Sequence, residues 1–349
     1  MQFSHVLAAL ALALPVSAQN WSELQTSTWG GSTGLGGPFI QARNLQAPSE
    51  RHSHALVPYP GSQTGELLLF GGRAANVSGA PYFNDSWRWN GLFWQRLQLG
   101  GGPSVRESPT ACYDPLRDEI VLTSGWNGGV YLQDTWTFDG TSWSNQPTGG
   151  THPPGRDWSA MAFDPNSGTC ILFGGHIWQN VVAGLGQEGD TWSWDGTQWT
   201  QLAPANSPPA RSMHAMAWDG NLGMLILIGG NHTVSNGADM WGWNGSDWVD
   251  LSATTPVLPP ATVWGSMVWD ATRGVVVYHG GAPGTGSTPA SNETWEWNGV
   301  TWYQASSAGP ARCASPMAYN PVFLRTEMVG GALLANRQQT TDGNWIYGF

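Results

Sequence analysis

A ten-residue phrase recurs along this chain about every fifty residues, and its clearest copy reads Asp190-Thr191-Trp192-Ser193-Trp194-Asp195-Gly196-Thr197-Gln198-Trp199. Its first tryptophan returns at Trp87, Trp136, Trp192, Trp241, Trp295 and Trp345, and its last at Trp94, Trp143, Trp199, Trp248 and Trp302. An apolar run ending in small residues precedes each copy, as in Leu225 to Gly230. Further upstream an arginine opens a short apolar run, at Arg51, Arg106, Arg156, Arg211 and Arg312, with Thr262 holding the fifth position. A period of this length with four strand-like runs per unit specifies propeller blades, because no single unit can bury both of its faces alone.

The four runs, termed a to d, are short, rich in β-formers and separated by turn residues. Asn90-Gly91, Asp139-Gly140, Asp195-Gly196, Asn244-Gly245 and Asn298-Gly299 lie between runs c and d. Such pairs readily take the positive φ angles of a type I′ turn, so c and d are expected to form a hairpin in every blade. The sixth repeat stops at Asn344-Trp345-Ile346-Tyr347-Gly348-Phe349, a run c with no run d after it. Asn20-Trp21-Ser22-Glu23-Leu24 matches the d pattern at the other end of the chain. The reading is therefore all-β: six four-stranded antiparallel blades, with the N-terminal strand pairing into the C-terminal blade. That closure removes an open sheet edge.

The segments Pro208-Pro209-Ala210-Arg211-Ser212-Met213-His214-Ala215 and Leu225-Ile226-Leu227-Ile228-Gly229-Gly230, followed by the Trp-x-Trp strand, resemble kelch repeats, particularly those of secreted kelch propellers. The resemblance covers residues 20 to 349. Departures are local: Ser124-Gly125 replaces one glycine pair, and Phe138 and Tyr347 replace the second tryptophan.

Residues 1 to 18 read as a secretory signal peptide, with an apolar stretch from Val6 to Leu14 and a Val16-Ser17-Ala18 cleavage pattern, although no Lys or Arg precedes it. No other run has the roughly 18 apolar residues needed to span a bilayer. A single propeller domain over 19–349 is expected to be exported, secreted or periplasmic, ending where the propeller ends. Asn20, Asn76, Asn84, Asn231, Asn244 and Asn292 head glycosylation sequons. With thirteen Arg, no Lys and a formal charge of −11, nucleic acid is a poor partner. Cys112, Cys170 and Cys313 cannot all pair within one chain and show no metal-ligand spacing, so buried free thiols are expected, with Cys112 to Cys170 as the one pairing considered. No metal or cofactor is expected.

In an up-and-down blade the d-to-a and b-to-c loops share one face. Of 23 tryptophans, sixteen occupy the c and d positions and Trp218 and Trp269 hold an aromatic site of run a. The remaining five, Trp29, Trp126, Trp158, Trp178 and Trp264, all map to that one face. Aromatic rings there suit stacking on sugars or anchoring of a protein. The Gly-rich segment 25–49, bearing Trp29 and Phe39, is a linker or a flap over the ring mouth.

The near-ring of arginines admits two readings: convergence on a carboxylate or sulfate, or satisfaction of carbonyls and acids within each blade. Similar kelch proteins grip acidic ligands with arginines at this strand start. The recurrent acids Asp85, Asp134, Asp190, Asp239 and Glu293 repeat with the fold and read as strand-start hydrogen-bonding groups. Non-repeating polar residues on the working face are better chemical candidates: His52, Glu107, Asp157, His176, Glu188 and His232.

These features point first to a non-enzymatic recognition module binding a glycan or an extracellular protein through the tryptophan- and arginine-bearing face. Its candidate ligand-binding residues are Arg51, Arg106, Arg156, Arg211, Arg312, Trp126, Trp158, Trp178, Trp264, His176 and His232. The alternatives are an adhesion propeller or a carbohydrate-active enzyme. The kelch resemblance implies the latter, since such propellers include a sialic-acid mutarotase and a domain of copper radical oxidases. Mutarotase-like chemistry needs an acid/base pair and an arginine, roles open to Glu107, His176, Arg156 and Arg211; no cysteine offers the crosslink that a copper radical site needs.

Overall fold

The computed structural model describes residues 20–23, 47–147, 150–177, 186–232, 238–341 and 343–348. Six four-stranded antiparallel sheets follow one another around an axis. The first consists of Ala55–Pro58, Leu67–Phe70, Ser86–Trp89 and Trp94–Arg96, and the next four repeat this order. The sixth contains Met317–Asn320, Arg325–Val329 and Asn344–Gly348, and its outer edge is Asn20–Glu23, paired Trp21 to Tyr347. The expected closure by the N-terminal strand is thus present.

Closure is a chemical match as well as a topological one. In blades two to four the outermost tryptophan donates its indole N–H to the residue just before the first tryptophan of strand c in the preceding blade: Trp143 to Ser86 at 3.0 Å, Trp199 to Thr135 at 2.8 Å and Trp248 to Thr191 at 2.9 Å. Trp21 makes the same bond to Thr294 at 2.8 Å, although it comes from the other end of the sequence.

Between each pair of neighbouring blades lies one apolar cluster. Leu68, Phe70, Ile120 and Phe138 fill the space between blades one and two, and Trp21, Val277, Met328 and Tyr347 do so between five and six. The Trp-x-Trp strands supply large apolar areas to these interfaces, which hold the disc together through the hydrophobic effect.

The c-to-d hairpins are present in blades one to five, but not with type I′ turns. Trp89 pairs Trp94 and Trp194 pairs Trp199, leaving four-residue loops. Only the glycine takes positive φ, 89° at Gly91 and 97° at Gly196. The Asn90 and Asp195 side chains accept the amides two and three residues on at 2.8–3.0 Å, so the side chain sets the turn and one left-handed residue suffices.

Candidate functional site

The residue two positions after the strand-opening arginine, or after Thr262, has positive φ in every blade: Ser53, Ser108, Trp158, Met213, Trp264 and Ala314, all between 52° and 63°. Ser53 donates its amide to the Ala314 carbonyl, Ser108 to Ser53, Met213 to Trp158, Trp264 to Met213 and Ala314 to Trp264, at 2.7–2.9 Å. The result is a backbone belt joining blade to blade at the ring mouth. Left-handed backbone is costly for non-glycine residues and persists where the surroundings enforce it. Beneath the belt an axial cavity of about 730 Å³ is walled by the a strands, with Val57, Ala111, Ala162, Met216 and Met267 on its lining.

Trp158 and Trp264 owe their place to this belt. Their rings meet edge-to-face at 5.5 Å, and the Arg337 guanidinium lies 4.4 Å from Trp158 and 5.0 Å from Trp264. Arg337 belongs to the loop between strands b and c of blade six. That loop crosses the mouth as a strap, held at blade one by Asn76 N–H to Arg337 O (2.9 Å) and at blade five by Ala335 N–H to Thr288 O (2.9 Å). The flat faces of these two tryptophans, expected to be open to ligand, are therefore capped, and Trp264 is buried. Most of the segment read as a linker or flap, 25–49, lies outside the described residues, Trp29 and Phe39 included, as does Trp178.

Around the strap gathers a charged cluster. Glu107 faces Arg73 at 3.6 Å and Arg337 at 3.4 Å. His176 Nδ1 lies 3.3 Å from Asp157 Oδ1 and 3.2 Å from the Tyr131 hydroxyl. Tyr131 packs against Trp126 at 4.6 Å, and both rings are half-buried. Burial pushes the Glu107 carboxyl up, against the pull of Arg337 and Arg73, and pushes Asp157 up against His176 and Arg337. Burial likewise drives Tyr131 to about 12 and lowers Arg337. Two carboxyls inclined to hold protons thus sit beside an imidazole 27% exposed and an aromatic pair, an arrangement suited to hydrogen-bonding and proton exchange with a polar ligand.

Of the two readings of the arginine near-ring, four of the five take the one internal to the blade. Arg51, Arg106, Arg156 and Arg211 are at most 1% exposed and fork onto Asp85, Asp134, Asp190 and Asp239, with oxygen contacts of 2.5–3.0 Å. Each also donates to a carbonyl near its glycine pair, as Arg156 does to Gly174 O at 2.7 Å. The same carboxylates accept the first indole N–H of strand c, for example Trp192 to Asp190 at 2.6 Å. Hydrogen bonds from the guanidinium hold all four carboxyls below their usual range despite burial. These are blade clips, in keeping with the strand-start role read for the acids.

Blades five and six lack the clip, since Thr262 replaces one arginine and Gly343 stands where the sixth acid would be. Arg312 instead donates to Ala311 O at 2.8 Å and lies over Trp345 at 5.9 Å. His232 belongs to the blade-four clip, 3.7 Å from Asp239, and not to the mouth cluster. Of the expected site residues, the structure brings together Trp126, Trp158, Trp264 and His176, with Glu107 and Asp157 beside them. Arg73, Tyr131 and Arg337 went unrecognised as site residues. Arg73 and Arg337 break the repeat as cations in b-to-c loops, the one signal that marked them.

No group of three or more His, Cys, Asp or Glu that could hold a metal occurs among the described residues. Nor is any helix among them long and apolar enough to cross a membrane.

Fold and mouth together define a closed six-bladed β-propeller with an aromatic and charged cluster on its loop-bearing face. The model of the KLHDC2/KLHL20/DRC7 Kelch-repeats domain matches residues 40–230, more than half of the chain, and the protein belongs to the kelch-repeat family. A solved structure titled "Structure of YjhT" is similar, with a TM-score of 0.61 at 14% identity over 85% of this chain and 95% of that one, which supports the fold alone. No curated protein matches the sequence.

Proposed function

We propose that this kelch propeller is an exported recognition module whose ring mouth binds a glycan. The observation that carries the reading is the Trp126–Tyr131 pair, half-buried and 4.6 Å apart, beside Glu107, Asp157 and His176. An aromatic surface next to hydrogen-bonding carboxyl and imidazole groups fits a sugar ring, which has apolar faces and a polar edge. Export rests on the apolar, small-residue-terminated segment 1–18. The test is a glycan array of neutral, sialylated, sulfated and uronic-acid sugars probed with 19–349. Binding should be lost in Trp126→Ala with Tyr131→Ala and kept in Val300→Ala on the opposite face. Binding untouched by the aromatic pair's removal would exclude this site, and an array without any bound glycan would turn the search to protein partners.

The raised carboxyls of Glu107 and Asp157 favour a second reading, an enzyme of the mutarotase kind working by proton transfer. Accelerated anomeric exchange of acidic sugars, abolished in Glu107→Gln, would support it; exchange at the uncatalysed rate would remove it.

A further inference from the structure

Cys112 lies on strand a of blade two, Thr110–Asp114, and Cys170 on strand b of blade three, Thr169–His176. Their sulfurs are 3.1 Å apart across the blade interface. Both side chains are buried, 5% and 0% exposed, in one cluster with Val121, Met161, Leu172 and Trp194. A disulfide is about 2.05 Å long, so bond formation brings the two sulfurs about 1 Å closer. Cys313 is remote from the pair: it sits in the mouth cluster of blade six, its thiol facing Leu334 O at 3.4 Å. Of the three possible pairings, only Cys112 with Cys170 places two sulfurs in contact.

We propose that Cys112 and Cys170 are an oxidation site, closing to a disulfide that staples blade two to blade three when the chain folds in the presence of a small disulfide oxidant. One thiolate attacks the external disulfide and expels one thiol. The second then attacks the mixed disulfide and expels the other. Two electrons pass to the oxidant, which leaves as two thiols carrying the two cysteine protons. Burial, with the neighbouring Cys112 sulfur, pushes the Cys170 thiol up; Cys170 is fully buried, while Cys112 is 5% exposed on the wall of the axial cavity. With Cys170 fully buried, the exchange is easiest during folding, before blades two and three dock, and the finished bond is partly sheltered by the same packing. The N-terminal strand secures the ring at blade six; the staple secures it on the far side of blade one.

The test is refolding of 19–349 with a mixture of reduced and oxidised glutathione, then acid quenching, denaturation, thiol counting and intact mass. One free thiol per chain is expected, with a mass lower by two hydrogens and a single linked peptide pair joining Cys112 to Cys170. Cys313→Ala should leave no free thiol and the same linkage, while Cys112→Ala and Cys170→Ala should each leave two. The oxidised protein should melt above the same protein refolded with reductant, and Cys313→Ala should keep that difference. Three free thiols in a correctly folded, glutathione-treated protein, or any linkage through Cys313, would overturn the proposal. The wild-type count decides the matter even where a cysteine variant does not fold.

Discussion

Replacing Arg156 with Met separates a clip from a ligand grip. The guanidinium donates to both oxygens of Asp190 at 2.6 and 2.8 Å and to the carbonyls of Gly174 and Pro154 at 2.7 and 3.1 Å, and its side chain is fully buried. Met keeps most of the volume but removes every donor. Asp190, with its side chain 13% exposed, keeps the Trp192 indole and its own backbone amide but is left a largely desolvated charge without a cation. Breaking a buried pair this way costs about 3–5 kcal/mol. Unfolding entropy of roughly 2.1 cal/mol/K per residue over about 330 residues gives about 0.7 kcal/mol/K, so the melting temperature should fall by about 4–7 °C. Differential scanning calorimetry of Arg156→Met, Asp190→Asn and the double variant would close the cycle, with the double variant costing less than the sum of the two. Were Arg156 held for a ligand instead, Arg156→Met would melt within about 1 °C of the parent while affinity collapsed, and the clip assignment would be wrong.

Acid should loosen the fold well above the carboxylate range. Burial lowers His54 and His214 to about 3 and His279 to about 4, while in the unfolded chain each takes a proton near 6.5. The unfolded state therefore binds more protons below that pH, and stability falls as pH drops from 6.5, by about 1.4 kcal/mol per histidine per unit; a urea midpoint unchanged between pH 7.5 and 5.5 would contradict this. Trp21→Ala deletes a side chain packed on Val277, Met328 and Tyr347 and should cost about 3–5 kcal/mol by urea unfolding, whereas a change below about 1 kcal/mol would show that the first strand does not close the ring. Arg337→Ala should uncover Trp158 and Trp264 and increase acrylamide quenching of tryptophan fluorescence. Equal quenching in parent and variant would mean that the strap does not cover them.

Periodicity alone determined most of the architecture. A Trp-x-Trp strand every fifty residues can bury its aromatics only against a neighbouring copy, and a terminal strand c without its d calls for Asn20–Glu23 from the other end. The repeating acids were legible as scaffold for the same reason: what recurs in every blade serves the blade. The arginines were not, because a guanidinium fork suits a ligand carboxylate and an internal one equally, and only the fold shows Asp190, 34 residues away in sequence, already in the grip of Arg156. The mouth depended still more on tertiary structure. Glu107, Tyr131, His176 and Arg337 come from three blades and have no mutual spacing in the chain, so their meeting, and the burial that raises Glu107 and Asp157, follow from ring closure and from a strap crossing from blade six to blade one.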